Sequence, residues 1–97
     1  MGYEIRFASS ARRHLREFTV GERAGIVAAI ETQLSHEPVV ETRNRKRLQP
    51  NPIAPWELRV RNVRVFYEVD QPGVVTILAV GAKRGNRLYL EGEEIAL

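Results

Sequence analysis

Tyr3, Ile5 and Phe7 alternate with Glu4 and Arg6 at the start of the chain. A period of two marks a half-buried strand, so residues 3–7 are predicted as the first strand. The period then lengthens. Ala11, Leu15 and Phe18 share one helical face, Arg12, Arg13, Arg16 and Glu17 lie outside it, and Ser9 or Ser10 can cap the helix. Thr19 and Glu22 fit a capping box, after which Val20, Ala24, Val27, Ile30 and Leu34 recur at helical spacing until Glu37-Pro38. A second helix is predicted over about 20–35. Two helices joined by a tight corner form a hairpin whose apolar stripes need a sheet to cover them.

Residues 38–55 carry no period and include Pro50, Pro52 and Pro55, so they are predicted as a long loop, functional if ordered and a spacer if not. Beyond it, Trp56, Leu58 and Val60 fall on one face of a strand. Val63, Val65, Tyr67 and Val69 continue that face if Arg61-Asn62 makes a hairpin turn. This register sets Arg59 directly across from Arg64 on the other face, beside Glu57, Phe66 and Glu68. Facing like charges are unfavourable by some tenths of a kcal/mol, so the pair calls for another reason to exist. Pro72-Gly73 makes the next turn, and residues 74–80 are apolar on both faces, as in a central strand ending at Gly81. Antiparallel pairing then brings Lys83, Arg84 and Arg87 to the sheet end that holds Arg59 and Arg64. Leu88 and Leu90 flank Tyr89 before an acidic tail, Glu91-Gly92-Glu93-Glu94, to which the pattern assigns no element.

The order is that of an α+β protein: a strand, a helix hairpin, then a three-stranded antiparallel meander. With 97 residues and 43% hydrophobic content, 1–97 is expected to be one domain around a modest core. No apolar run approaches the ~18 residues of a membrane span, and the first residues lack a secretory layout, so a cytoplasmic location is expected. The chain has no cysteine, which removes disulfides and thiol catalysis.

Charge changes the picture more. The net charge is +3, but residues 43–87 hold ten Lys/Arg against Glu57, Glu68 and Asp70, a segment of +7 beside a remainder of −4. Segregation of this kind suits a polyanionic partner, with a solvated charged surface as the plain alternative. His14 and His36 lie at remote helical positions with no ligand spacing around either, so no metal or cofactor is expected, and His14 is expected at the surface. "GAKRG" matches no nucleotide fingerprint. What remains is arginine, lysine and tyrosine at one sheet edge, chemistry suited to a phosphodiester. Metal-free RNA cleavage needs a base for the 2′-hydroxyl, cations around the phosphorane and a donor for the 5′-oxygen. Arg64, rigid on a strand, is the candidate phosphate fork. Lys83 could add charge or exchange a proton. Tyr89 could stack or donate its hydroxyl, with ordinary packing equally open.

The stretches "ELRVRNVRVFYEV" and "VVTILAVGAKRGNRLY" give a strand, a turn, a strand bearing Arg64 before two aromatics, and an apolar strand ending at glycine with basic residues beyond. This pattern, together with the order of elements over nearly the whole chain, resembles RelE/ParE-type toxins of bacterial toxin–antitoxin pairs. The resemblance implies one of two targets: RelE-like members cleave mRNA in the ribosomal A site, and ParE-like members inhibit DNA gyrase. Arg64 and Tyr89 match the RelE-like phosphate-binding arginine and C-terminal tyrosine, and Lys83 stands where an arginine is usual, so the resemblance favours a ribosome-dependent endoribonuclease, with a gyrase inhibitor or an inert nucleic-acid-binding relative as the alternatives. Glu57 departs from the pattern, standing on the strand where those enzymes carry a lysine base, with Pro55 at a second such position. The base is left open between Glu57, the loop residues Arg45, Lys46 and Arg47, and no nuclease at all. RNA contacts are expected from Arg43, Arg45, Lys46, Arg47, Arg59, Arg61, Arg84 and Arg87. The expected protein partner is an acidic, partly disordered antitoxin that folds onto the basic face.

Overall fold

The structure, a computed structural model, describes residues 2–70 and 73–97. The alternating start forms β1 (Glu4–Phe7), followed by α1 (Ser9–Leu15) and α2 (Val20–Leu34). The rest of the chain gives β2 (Arg45–Arg47), β3 (Trp56–Val60), β4 (Val63–Asp70), β5 (Val74–Arg84), β6 (Arg87–Leu90) and β7 (Glu93–Ile95). Among the described residues the sheet runs β2-β3-β4-β5-β6-β7 with antiparallel neighbours, and β1 lies parallel to the first half of β5. The meander read from the sequence is β3-β4-β5, extended at both ends by short strands that carry too few residues to show a period. Of the expected Pro72-Gly73 turn, Pro72 lies outside the described residues.

Local chemistry explains most of these boundaries. The capping box forms: the Glu22 amide donates to Thr19 Oγ1 at 3.1 Å and the Thr19 amide to Glu22 Oε1 at 2.8 Å. The expected serine cap of α1 does not. Ala8 occupies its N-cap without a side-chain bond, and Ser10 Oγ donates instead to the Leu78 carbonyl at 2.6 Å, tying the helix to β5. The buried stripe of α2 is also rotated from the expected one. Ile26, Ile30 and Leu34 are buried while Val20 is 75% exposed and Ala24 faces solvent. Spacing admits both stripes, and burying Ile26 removes more apolar surface from water than burying Ala24.

Residues 38–55 are ordered and include a strand, which corrects their reading as a loop throughout. Turns held by side chains leave no hydrophobic period to read. Asn51 organises the stretch after β2. Its Nδ2 donates to the carbonyls of Gln49 (2.8 Å) and Ala54 (2.9 Å), and its Oδ1 accepts from the amides of Ile53 (2.8 Å) and Ala54 (3.1 Å). The Leu48 amide then closes the loop on the Pro55 carbonyl at 2.8 Å.

The sheet has two differently built faces. Trp56, Leu58, Val65, Tyr67, Val75 and Ile77 meet the helices through Ala11, Leu15, Ile26, Ile30 and Leu34, forming the main core. Buried Tyr67 donates its hydroxyl to the Pro38 carbonyl at 2.6 Å, and burial pushes its phenol pKa upward. On the other face a smaller core joins Phe66 and Ala79 to Ala54 and Leu88, flanked by Leu48, Ile53, Leu90 and Ile95. The β6–β7 arm comes so close to β5 there that a Cβ on Gly81 would lie 2.6 Å from the Tyr89 carbonyl oxygen and would strike the Leu90 side chain. Glycine is required by that approach. No described helix is long and apolar enough to cross a membrane.

Candidate functional site

Directly paired residues on neighbouring strands point to the same face, so register decides which cations can meet. Lys46 pairs with Glu57, Arg59 with Arg64, and Arg64 in turn with Gly81. Lys83 follows Gly81 at a spacing of two and pairs with Leu88. Lys46, Glu57, Arg59, Arg64 and Lys83 therefore all lie on the face of Phe66, away from the helices. At the end of this face Glu57, Arg64, Lys83, Asn86 and Arg87 line a cavity of about 270 Å³, together with Leu88 and the segment from Glu94 onward.

Inside it the charges are unevenly matched. Glu57, 7% exposed, accepts from Arg59 Nε at 3.1 Å. Arg64 has no carboxylate partner among the described residues. Its Nη1 donates to the Arg61 carbonyl at 2.7 Å and to its neighbour Val63's carbonyl at 3.1 Å, while its Nε is buried with no partner. Burial draws the Arg64 pKa below its ordinary value, Glu57 opposes this and Arg59 adds to it. An arginine stays charged under such a shift, so the cavity holds a cation with unused donor capacity. Such an arrangement on a rigid strand suits an anion chemically, and Glu57 relieves the unfavourable Arg59/Arg64 juxtaposition on one side.

Five of the expected cations and the tyrosine lie elsewhere. Tyr89 pairs with Ala82, which pairs with Val63 of the main core, so Tyr89 belongs to the helix side of the sheet and not to the cavity of Arg64 and Lys83. There it lies beneath Arg84, whose Cζ is 5.4 Å from the ring centroid, near His14 and Phe18. The sequence held this signal: Gly85-Asn86 as a two-residue turn pairs Arg84 with Arg87 and hence Ala82 with Tyr89. Arg45 pairs with Leu58 on the helix side, is 9% exposed, and donates from Nε to the Val40 carbonyl (2.9 Å) and from Nη1 to the Gln33 carbonyl (2.6 Å). It is an internal tie and not a surface contact. Arg47 pairs with Trp56 and lies 5.7 Å over its ring. Of the loop cations only Lys46 shares the face of Arg64. Arg43 is exposed ahead of β2 and Arg61 is exposed in the β3–β4 turn at φ 56°, whereas Arg87 lines the cavity with Arg64 and Lys83 and lies 3.4 Å from Glu94.

His14 corrects its surface reading. It is 6% exposed, its Nδ1 accepts the Val80 amide at 3.1 Å and its Nε2 lies 3.3 Å from Glu91. Spacing could have shown this, since 11, 14 and 18 fall on one helical face. Asn86 is a cavity residue that no sequence signal marked, and Glu57 stood in the sequence only as one open candidate for the base.

No family model and no curated protein sequence matches the chain. Among solved structures it is similar to a chain of the toxin–antitoxin complex RelBE2 from Mycobacterium tuberculosis. The TM-score is 0.73 and the identity 28%, over 86% of this chain and 93% of that one. The likeness bears out the RelE-type resemblance and the α+β fold that came with it.

Proposed function

We propose that the protein is the toxin of a toxin–antitoxin pair and acts in the cytoplasm as a metal-free endoribonuclease on ribosome-bound mRNA. The observation that most supports this reading is the meeting of Glu57, Arg64 and Lys83 in one cavity, on a fold shared with a toxin–antitoxin complex. Glu57 takes the 2′-hydroxyl proton as the oxygen attacks phosphorus. The Arg64 fork neutralises the equatorial oxygens, a role in which loss of one donor costs about 10²–10³-fold in rate. As the bond from phosphorus to the 5′-oxygen breaks, the Lys83 ammonium supplies the leaving oxygen with a proton, leaving a 2′,3′-cyclic phosphate and a 5′-hydroxyl. Arg59 holds Glu57 in place. Lys46 and Arg43 touch the RNA backbone, so binding weakens with salt. An acidic antitoxin segment neutralises the same face.

The position of Tyr89 favours a second reading, a gyrase inhibitor that needs no proton donor. Cell-free translation with mapping of mRNA ends, run beside a gyrase supercoiling assay, separates the two. The nuclease reading expects cut mRNA with cyclic-phosphate ends, unimpaired supercoiling, and about 10²-fold slower cleavage by Glu57→Gln. Intact mRNA with blocked supercoiling would replace it with the second.

A further inference from the structure

We infer that β7 and the residues after it form a gate over the Arg64–Lys83 cavity, and that Arg13 and His14 hold this gate shut through Glu91. One wall of the cavity is made by Glu94, Ile95, Ala96 and Leu97. Among the described residues β7 bonds only to β6, is three residues long and lies at the sheet edge. Short edge strands are the segments that open at least cost. Ile95 packing and the exposed Arg87–Glu94 pair give the strand modest anchorage.

A second hold is at the turn before it. Glu91 and Gly92 have φ of 53° and 78°, a conformation glycine adopts freely and glutamate does not. Glu91 is kept there by its carboxylate. Arg13 Nε lies 3.0 Å from each of its oxygens. Because His14 Nδ1 accepts the Val80 amide, the neutral imidazole carries its hydrogen on Nε2 and donates it to Glu91. The buried ring is thus a strut between β5 and the turn. Behind this gate stand Arg64, whose Nε has no partner among the described residues, and Lys83. The gate concerns access alone, whatever anion enters.

The chain has two lysines, Lys46 and Lys83, which makes the gate measurable. Lys46 is exposed on the open face and serves as the internal reference, while Lys83 lies inside the cavity. Acylation by an N-hydroxysuccinimide acetate, read by peptide mass, is followed in wild type, Glu91→Gly and Arg13→Gln. Glu91→Gly removes the carboxylate and relieves the turn backbone at once. The expected result is a Lys83/Lys46 rate ratio up to about tenfold higher in both variants, equivalent to about 1.4 kcal/mol of opening. An unchanged ratio overturns the gate. So does a lower one in Glu91→Gly, which would make turn strain the control of closure, and so does an equal rise at both lysines, which would make the clasp a support of the whole fold. RNA cleavage is not read, so failure of the nuclease reading leaves this result interpretable.

Discussion

Arg45 and Arg64 stand on strands of one sheet, on opposite faces, and their guanidinium groups meet opposite fates. On the helix side Arg45 gives Nε and Nη1 to the Val40 and Gln33 carbonyls and helps hold the chain between α2 and β2. On the other side Arg64 keeps an unpartnered Nε beside a buried carboxylate and a lysine. Residue type does not separate them, and neither does local charge density. Strand parity does, because a shift of one residue exchanges a face that must satisfy every donor internally for one that can leave donors for a ligand.

The contrast can be broken by substitution. Arg45→Met should cost about 2–4 kcal/mol in urea unfolding, because it leaves two carbonyls unsatisfied in a partly buried place. Lys46→Met, one residue on and exposed, should change stability by no more than about 0.5 kcal/mol. Equal costs would remove the distinction between the faces. Next in size is Gly81→Ala, which should lose about 1–3 kcal/mol by forcing the β6–β7 arm off β5, read as a fall in thermal midpoint.

The helix side should also respond to pH. Burial lowers the pKa of His14, Glu91 opposes this, and Arg13 and Glu17 add smaller opposing effects of their own, downward and upward. The unfolded chain therefore binds a proton that the folded chain resists. Stability from neutral His14 is complete above the ordinary imidazole pKa of about 6.5 and is lost as pH falls below it toward the lower folded value. Urea midpoints at pH 7.5 and 5.5 should converge less in wild type than in His14→Gln, which cannot titrate; identical pH dependences would contradict the strut. The smallest effect expected is a gain of up to about 1 kcal/mol from Arg61→Gly, which relieves the φ of 56° at the β3–β4 turn.

The elements with room for a period were legible in the sequence. β1, the capped start of α2, and the β3–β4 register with Arg59 opposite Arg64 follow from alternation, a capping box and a two-residue turn. β2 and β7 were not, because three residues carry no alternation, and Asn51 organises its loop through side-chain bonds that no periodicity records. The site divided along the same line. Arg64 and Lys83 reach one cavity because the long strands fix their register, whereas Tyr89 had no β5–β6 register to place it, and one position of that hairpin is a whole face. His14 lies on the apolar stripe with Ala11 and Phe18, which marks it as buried, but its partners Val80 and Glu91 are too distant in sequence for spacing to name.

The account rests on Arg64 being held for an anion rather than for the fold. Expressing wild type and Arg64→Ala from the same inducible promoter, with urea unfolding of both purified proteins, tests this in one experiment. Growth arrest should vanish in the variant while its stability stays within about 0.5 kcal/mol of wild type. Undiminished arrest, or arrest lost only together with the fold, would contradict it.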